Sequence, residues 1–313
     1  MHWLQWRKES QGISIIMNKT VHFVSGLPRA GSNLLCNILA QNPRFDVTPS
    51  SGIIDIVLMV RNRWNRVIEF QAAPDEPAKL RVMRSVLDGY FDNGKEKPVV
   101  FDRSPAWLSV LEMAEAILER KAKVLVSVRD VRDVLASYER LWRRNAGTWE
   151  MSQETQIYFK WQTVEGRCEV LAGPNQPVGI CYNRIQDALS RGFKDRMFFV
   201  DYDDLTRKPR ETLDGIYEFL EEAPYEHDLE NIQQVTKEDD MILGIPGLHE
   251  IRPVIEPSEP QWPRYLGSVA DRYTSLNTMW RAAKNSAVES ASGPEGKRPA
   301  ARPEPALAGA GAA

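Results

Sequence analysis

The chain has 313 residues, 42% hydrophobic and 27% charged, with a net charge of −3: an ordinary globular composition with room for a sizeable core, and a poor match to a protein that coats nucleic acid. Its three cysteines, Cys36, Cys168 and Cys181, are widely spaced with no Cys-x-x-Cys pair, which points to a reducing, cytoplasmic setting and away from structural zinc. No apolar run is long enough to span a bilayer, and residues 1–20 mix Trp, Arg, Lys, Glu and Ser without the apolar stretch of a secretion signal.

Residues 1–16 read as an extension ahead of Met17. Residues 21–24 form a short buried strand, and 32–41 a helix with Leu34, Leu35, Ile38 and Leu39 on one face and Pro43 past its end. Cys36 falls in that helix as a small apolar side chain. Two amphipathic helices follow at 53–70 and 77–91, the second with Leu80, Met83, Val86, Leu87 and Tyr90 at core-facing spacing. A second strand at 99–101 ends in Asp102-Arg103-Ser104-Pro105, and another helix carries Leu108, Leu111, Met113, Ile117 and Leu118. The third strand, 124–128, runs into Arg129-Asp130 and a helix bearing Val131, Val134, Leu135, Tyr138 and Leu141.

Helical patterns continue at 150–171 and 182–191, a fourth strand is 197–200, and 209–220 is a helix with Pro in its first turn. Residues 239–263, rich in Pro and Gly, read as a long loop lying across a site. Residues 264–283 suggest a last amphipathic helix, docked through Tyr265, Leu266, Val269, Tyr273, Leu276 and Trp280. From 284 to 313 the composition turns to Ala, Pro, Gly and charge, for which disorder is expected. Strands alternating with helices predict one α/β domain over 17–283, a parallel sheet flanked by helices that binds ligands at the carboxyl ends of its strands. Arg29, Asp102 and Arg129 all follow strand ends.

The turn after the first strand carries the most chemistry. Gly26 and Gly31 have the spacing of the phosphate-cradling G-x-x-x-x-G-K-[ST] P-loop, in which backbone N–H groups converge on an anion at a helix N-terminus. Ser32 and Asn33 stand where that loop has Lys and then Ser or Thr, and the cation sits inside the loop as Arg29. A bound phosphate fits this pattern; a kinase-like phosphotransfer from a magnesium triphosphate fits it poorly, because the magnesium-binding hydroxyl is missing. The plain alternative is an ordinary strand-to-helix turn. A second candidate anion site pairs Arg129, at a strand end, with Ser137 two helical turns later. Together the two sites suggest a nucleotide with phosphates at two separate places.

With these motifs on the page, the sequence resembles the sulfotransferases that use 3′-phosphoadenosine 5′-phosphosulfate (PAPS), in order and register over residues 21–220. That family holds the 5′-phosphosulfate with a P-[KR]-[ST]-G-[ST]-[ST] loop, here Pro28-Arg29-Ala30-Gly31-Ser32-Asn33, and the 3′-phosphate with an Arg and a Ser eight residues on, here Arg129 and Ser137. A strand ending in Tyr-Glu-Asp-Leu, whose Tyr meets the adenine, is similar to Tyr202-Asp203-Asp204-Leu205. The style is closer to the tyrosylprotein and bacterial branch than to the cytosolic phenol and steroid enzymes. The resemblance implies a sulfotransferase-like three-layer sandwich and metal-free transfer of a sulfuryl group to a hydroxyl acceptor, leaving 3′,5′-ADP (PAP). The acceptor class stays open between small metabolite, carbohydrate and peptide tyrosine; neither nucleic acid nor membrane is implied as a partner.

Arg29 is the expected stabiliser of the leaving phosphate. For the acceptor base the candidates are Asp102, which serves equally well as a helix cap or an ion-pair partner of Arg103, and His249 in the late loop, beside Arg252 as a possible phosphate contact. Of the other histidines, His22 is expected to be packed and His227 exposed. Ala30 and Asn33 depart from the family's hydroxyl residues; the Asn33 amide can still donate to an anion, yet the departures also suit a nucleotide-binding module of the same fold without turnover. The run Arg140 to Arg144 resembles a basic-aromatic nucleic-acid patch but, near a helix end, reads more readily as solvated surface, and Arg61, Arg63, Trp64 and Arg66 read as lining of an acceptor cleft or as solvated surface.

Overall fold

Five short strands carry the architecture, in a computed structural model that describes residues 19–145, 159–257, 259–277 and 279–281. The expected extension at 1–16, the tail at 284–313 and the first part of the helix expected over 150–171 lie outside the described residues. The strands are β1 (Thr20–Gly26), β2 (Phe45–Ser50), β3 (Val99–Arg103), β4 (Val124–Val128) and β5 (Met197–Asp201), in the order β2-β3-β1-β4-β5, every neighbouring pair parallel. β1 is therefore the central strand, and both faces of the sheet are covered, as parallel sheets require.

Alternation along the strands decides which layer each side chain joins. Val21, Phe23, Val100, Val124 and Val126 pack on one face with α2 (Ile53–Trp64), α4 (Glu76–Phe91), α5 (Leu111–Leu118), α6 (Val131–Arg144), α7 (Val164–Ala172) and α8 (Pro177–Ser190). Val24, Val99, Phe101, Leu125 and Val200 pack on the other with α1 (Ser32–Leu39) and α10 (Pro209–Leu220). Two short helices complete the chain's main elements, α3 (Ile68–Ala72) and α9 (Tyr202–Arg207), with α11 (Trp262–Tyr265) near the end.

Four expectations need correction. β2 was not foreseen, because Phe45-Asp46-Val47-Thr48-Pro49-Ser50 has only two apolar residues and a proline, which an edge strand tolerates. The helix expected over 53–70 breaks into α2 and α3 at residues 65–67, where the chain folds back and Phe70 stacks on Trp64 at 3.8 Å. The helix expected over 264–283 is interrupted: the four residues of α11 give way to a 3-10 stretch, Gly267–Asn277, where Gly267 adopts φ 56°, and α-helical geometry returns at 279–281. Leu266, Tyr273 and Trp280 are nonetheless buried as docking residues. His227, expected at the surface, is 5% exposed and shares a hydrogen bond with the hydroxyl of Tyr217 at 3.0 Å; Asn42 also donates to that hydroxyl at 3.0 Å.

His22 is packed, as its place in β1 requires, with its ring 5.5 Å from Phe101 and neither ring nitrogen hydrogen-bonded. Burial, reinforced by Arg120 and Lys123, pushes its pKa from 6.5 down to about 3. The folded state thus refuses a proton that the unfolded chain accepts, so this contribution is fully present above pH 6.5 and is lost as pH falls toward 3. Replacing the ring by a neutral one, His22→Phe, is expected to flatten the fall in stability between pH 6 and 4; denaturant midpoints across that range check it.

Candidate active site

Three strand tips converge on one cleft. At the end of β1 the chain must pass within backbone distance of β4: a Cβ on Gly26 would lie 2.1 Å from the Ser127 carbonyl oxygen, and Gly26 adopts φ 122°. Only glycine fits there. Leu27 donates its N–H to Ser127 O at 2.8 Å, after which the loop turns through Arg29, at φ 58°, and Gly31, at φ 85°. Gly31 caps α1 with no side chain closing its first turn, so the first amide groups of the helix face the loop's concavity.

The loop and the second motif meet directly. Arg29 Nε donates to Ser137 Oγ, on α6, at 3.2 Å. Arg129, at the tip of β4, lays its guanidinium 4.3 Å over the ring of Tyr202, the first residue of α9, and that ring backs onto Gly31, where a Cβ would lie 2.6 Å from it. Gly26, Arg29, Ser32, Arg129, Ser137 and Tyr202 line one cavity of about 470 Å³, together with Pro28, Gly31 and Asn33. Burial draws the Arg29 pKa below its ordinary value. Ala30, 1% exposed, turns its methyl into the core, so only its backbone can face a ligand.

The late loop lies across this cavity, with Leu248 to Arg252, Val254 and Ile255 along its wall. Its attachments are specific. The Leu248 carbonyl accepts from Arg29 Nη1, and the His249 carbonyl from Asn33 Nδ2. The Asn33 amide is thus engaged by the loop, and its Oδ1 accepts from Thr236 Oγ1 at 2.7 Å. One turn further along α1, the buried Asn37 Oδ1 accepts from the N–H groups of Val235 at 2.6 Å and Thr236 at 3.0 Å, while its Nδ2 donates to Thr236 Oγ1 at 2.7 Å. On the far side, Asp133 of α6 accepts from the N–H groups of Gln261 and Trp262, at 2.7 and 3.1 Å.

Asp102 does not reach the cavity. Its carboxylate is fully enclosed, accepting from Trp107 Nε1 at 2.7 Å and Thr48 Oγ1 at 3.0 Å, and burial pushes its pKa up despite these donors. The alternation of β3 is the reason: Asp102 turns to the Trp107 side, and Arg103 turns into the cleft. There Arg103 is ion-paired with Glu238, whose Oε1 also accepts from Ser50 N at 3.0 Å. His249 stands between two carboxylates, with Nε2 3.1 Å from Glu238 and Nδ1 2.6 Å from Asp240. Arg103, Glu238 and Asp240 were missed from sequence. The parity of β3 held the signal for Arg103; nothing local marks the two acids. Arg252 sits at the cavity rim, exposed and paired with Glu256 at 3.2 Å. Arg143 and Arg144 are ion-paired with Glu139 and Glu250, and Arg61, Arg63 and Arg66 are absent from the cavity wall.

The sheet is parallel, with a glycine-bracketed loop at its central strand and a second cation-hydroxyl pair at the neighbouring one. A family model described as the sulfotransferase family matches residues 22–227, more than half of the chain, and the chain belongs to that family. Similar solved structures include the sulfotransferase domain of the Synechococcus PCC 7002 olefin synthase, with 20% identity, 86% of this chain and 95% of that one covered, and a TM-score of 0.46. A sulfotransferase from Alicyclobacillus acidocaldarius shares 15% identity over 85% of this chain and 98% of its own, with a TM-score of 0.43. Mouse sulfotransferase SULT7A1, solved in complex with PAP, shares 13% identity over 86% and 89%, with a TM-score of 0.43. No curated protein matches the chain.

Removing the Asn37 carboxamide strips the buried Thr236 N–H and the part-buried Val235 N–H of their acceptor, a loss of about 1–3 kcal/mol. Asn37→Ala is expected to lower stability by that amount and to raise amide hydrogen exchange at residues 234–236 and 249 more than in the strands.

Proposed function

We propose that the protein transfers a sulfuryl group from PAPS to a hydroxyl acceptor without a metal ion. The observation that carries this reading is the 3.2 Å contact between Arg29 and Ser137, which joins the loop cation and the second motif's hydroxyl within one cavity. Two anion holders set side by side suit a nucleotide phosphorylated on both the 5′ and 3′ positions of its ribose, and a nucleoside triphosphate would leave one of them unused. The fit has a steric side as well. The Gly31 Cα lies against the Tyr202 ring with no room for a methyl group, leaving the loop's backbone donors, rather than side chains, to face a ligand.

In this reading the backbone of residues 29–33 and the Ser32 hydroxyl hold the 5′-phosphosulfate, Arg129 and Ser137 hold the 3′-phosphate, and Tyr202 borders the adenine. Arg252 supplies a cation at the rim. PAPS supplies an activated sulfuryl group and a stable leaving phosphate. Arg29, fixed by Ser137 and drawn out of bulk water, offsets the negative charge that gathers on the bridging oxygen. With Asp102 enclosed, His249 is the remaining candidate base on the cavity wall, and it takes the acceptor's proton. The acceptor itself is a hydroxyl compound.

PAP is expected to bind in the presence of EDTA, and Arg29→Ala to weaken it about 10- to 100-fold, the worth of one charge-assisted hydrogen-bonding group. Titration calorimetry checks both. Tight binding of magnesium ATP with none of PAP would overturn the reading.

A further inference from the structure

The late loop brings three ionisable side chains together beside the cavity: Glu238, Asp240 and His249, with side-chain exposures of 10, 15 and 15%. Their arrangement is unequal. Asp240 grips His249 twice, through Oδ1 to the ring Nδ1 at 2.6 Å and through Oδ2 from the His249 backbone N–H at 2.9 Å. One carboxylate thus fixes both the ring's position and its rotation. Glu238 reaches Nε2 through the longer contact, 3.1 Å, and is itself anchored from behind by Arg103 and the Ser50 N–H.

An ionised carboxylate only accepts hydrogen bonds, so the Nδ1 held by Asp240 carries a proton, and in the neutral ring the lone pair falls on Nε2, which lies near Glu238 without a hydrogen bond to it. The charged groups around the ring are Glu238 and Asp240 from its own loop, with Arg103 of β3 behind Glu238; Arg29 reaches the carbonyl of the preceding residue.

We propose that Asp240 is a positioning residue that gives His249 its direction as a base, by fixing the Nδ1–H form of the ring. The inference rests on the sulfotransferase reading for the reaction and on the geometry alone for the proton. The Nε2 lone pair of the neutral ring takes the acceptor's hydroxyl proton as that oxygen bonds to sulfur and the bond from sulfur to the departing phosphate oxygen breaks. Asp240 takes no proton. The resulting imidazolium gives up its Nε2 proton to solvent before the next cycle.

The test is nitrogen-15 NMR of the intact chain labelled at histidine, with the His249 signals identified by their loss in His249→Gln. In the wild type the neutral ring at high pH is expected to carry its proton on Nδ1, against the preference of free histidine for Nε2–H; Asp240→Asn returns it to Nε2–H, and Asp240→Glu keeps Nδ1–H. A wild-type ring protonated on Nε2, or no change in Asp240→Asn, overturns the proposal. With PAPS and 4-nitrophenol as probe acceptor, Asp240→Asn is expected to lower kcat about 100-fold with KM for PAPS unchanged, within the range of general base catalysis. An equal loss in Asp240→Glu would mark a merely structural role and count against it. PAP affinity in the same variants stays at the wild-type value; if PAP fails to bind even the wild type, the sulfotransferase reading falls while the NMR result still decides the role of Asp240.

Discussion

Gly26 and Ser127 lie opposite one another in β1 and β4, so close that a single methyl group would not fit between them. Everything at the site depends on that approach. It brings the loop that leaves β1 alongside the helix that leaves β4, and so sets Arg29 within hydrogen-bond reach of Ser137 although 108 residues separate them. The parallel sheet supplies the rest: because all five strands point the same way, the loop, Arg129 and Arg103 emerge at one edge, and helix N-termini gather there with them.

The late loop forms one wall of the cavity at this edge. Its hold depends on polar contacts more than on apolar packing. Asn33 and Asn37, one turn apart on α1, satisfy backbone groups of the 234–236 and 249 region, and Arg29 adds the Leu248 carbonyl. Buried backbone groups left without these partners would be costly, so the two asparagines specify where the loop lies as well as holding it. Asn33, a departure from the hydroxyl residue of the family's loop, is accounted for by this second duty.

The three motifs were legible because each is continuous in sequence: the glycines of the loop, the Arg129 to Ser137 spacing and the Tyr202 segment all fall in one cavity. Four strands of the sheet were equally plain as apolar runs. What sequence did not disclose has physical reasons. β2 lies at an edge, where half its surface is not asked to be apolar. Asp102 and Arg103 are adjacent at a strand tip, and only the sheet decides which of them turns to the ligand. His227 sits in an acidic stretch yet is buried, because Tyr217 and Asn42 supply a polar niche that no local pattern announces. Glu238 and Asp240 gain meaning only when a loop without regular structure folds back to put them on either side of His249.

One stretch of chain both shuts over Arg29 and presents His249. The door and the tool hang on the same hinge. On the proposed reading, any displacement of this stretch that uncovers Arg29 would also carry the imidazole away from it, so connectivity rather than a separate gate would keep a solvent-exposed donor from meeting the base.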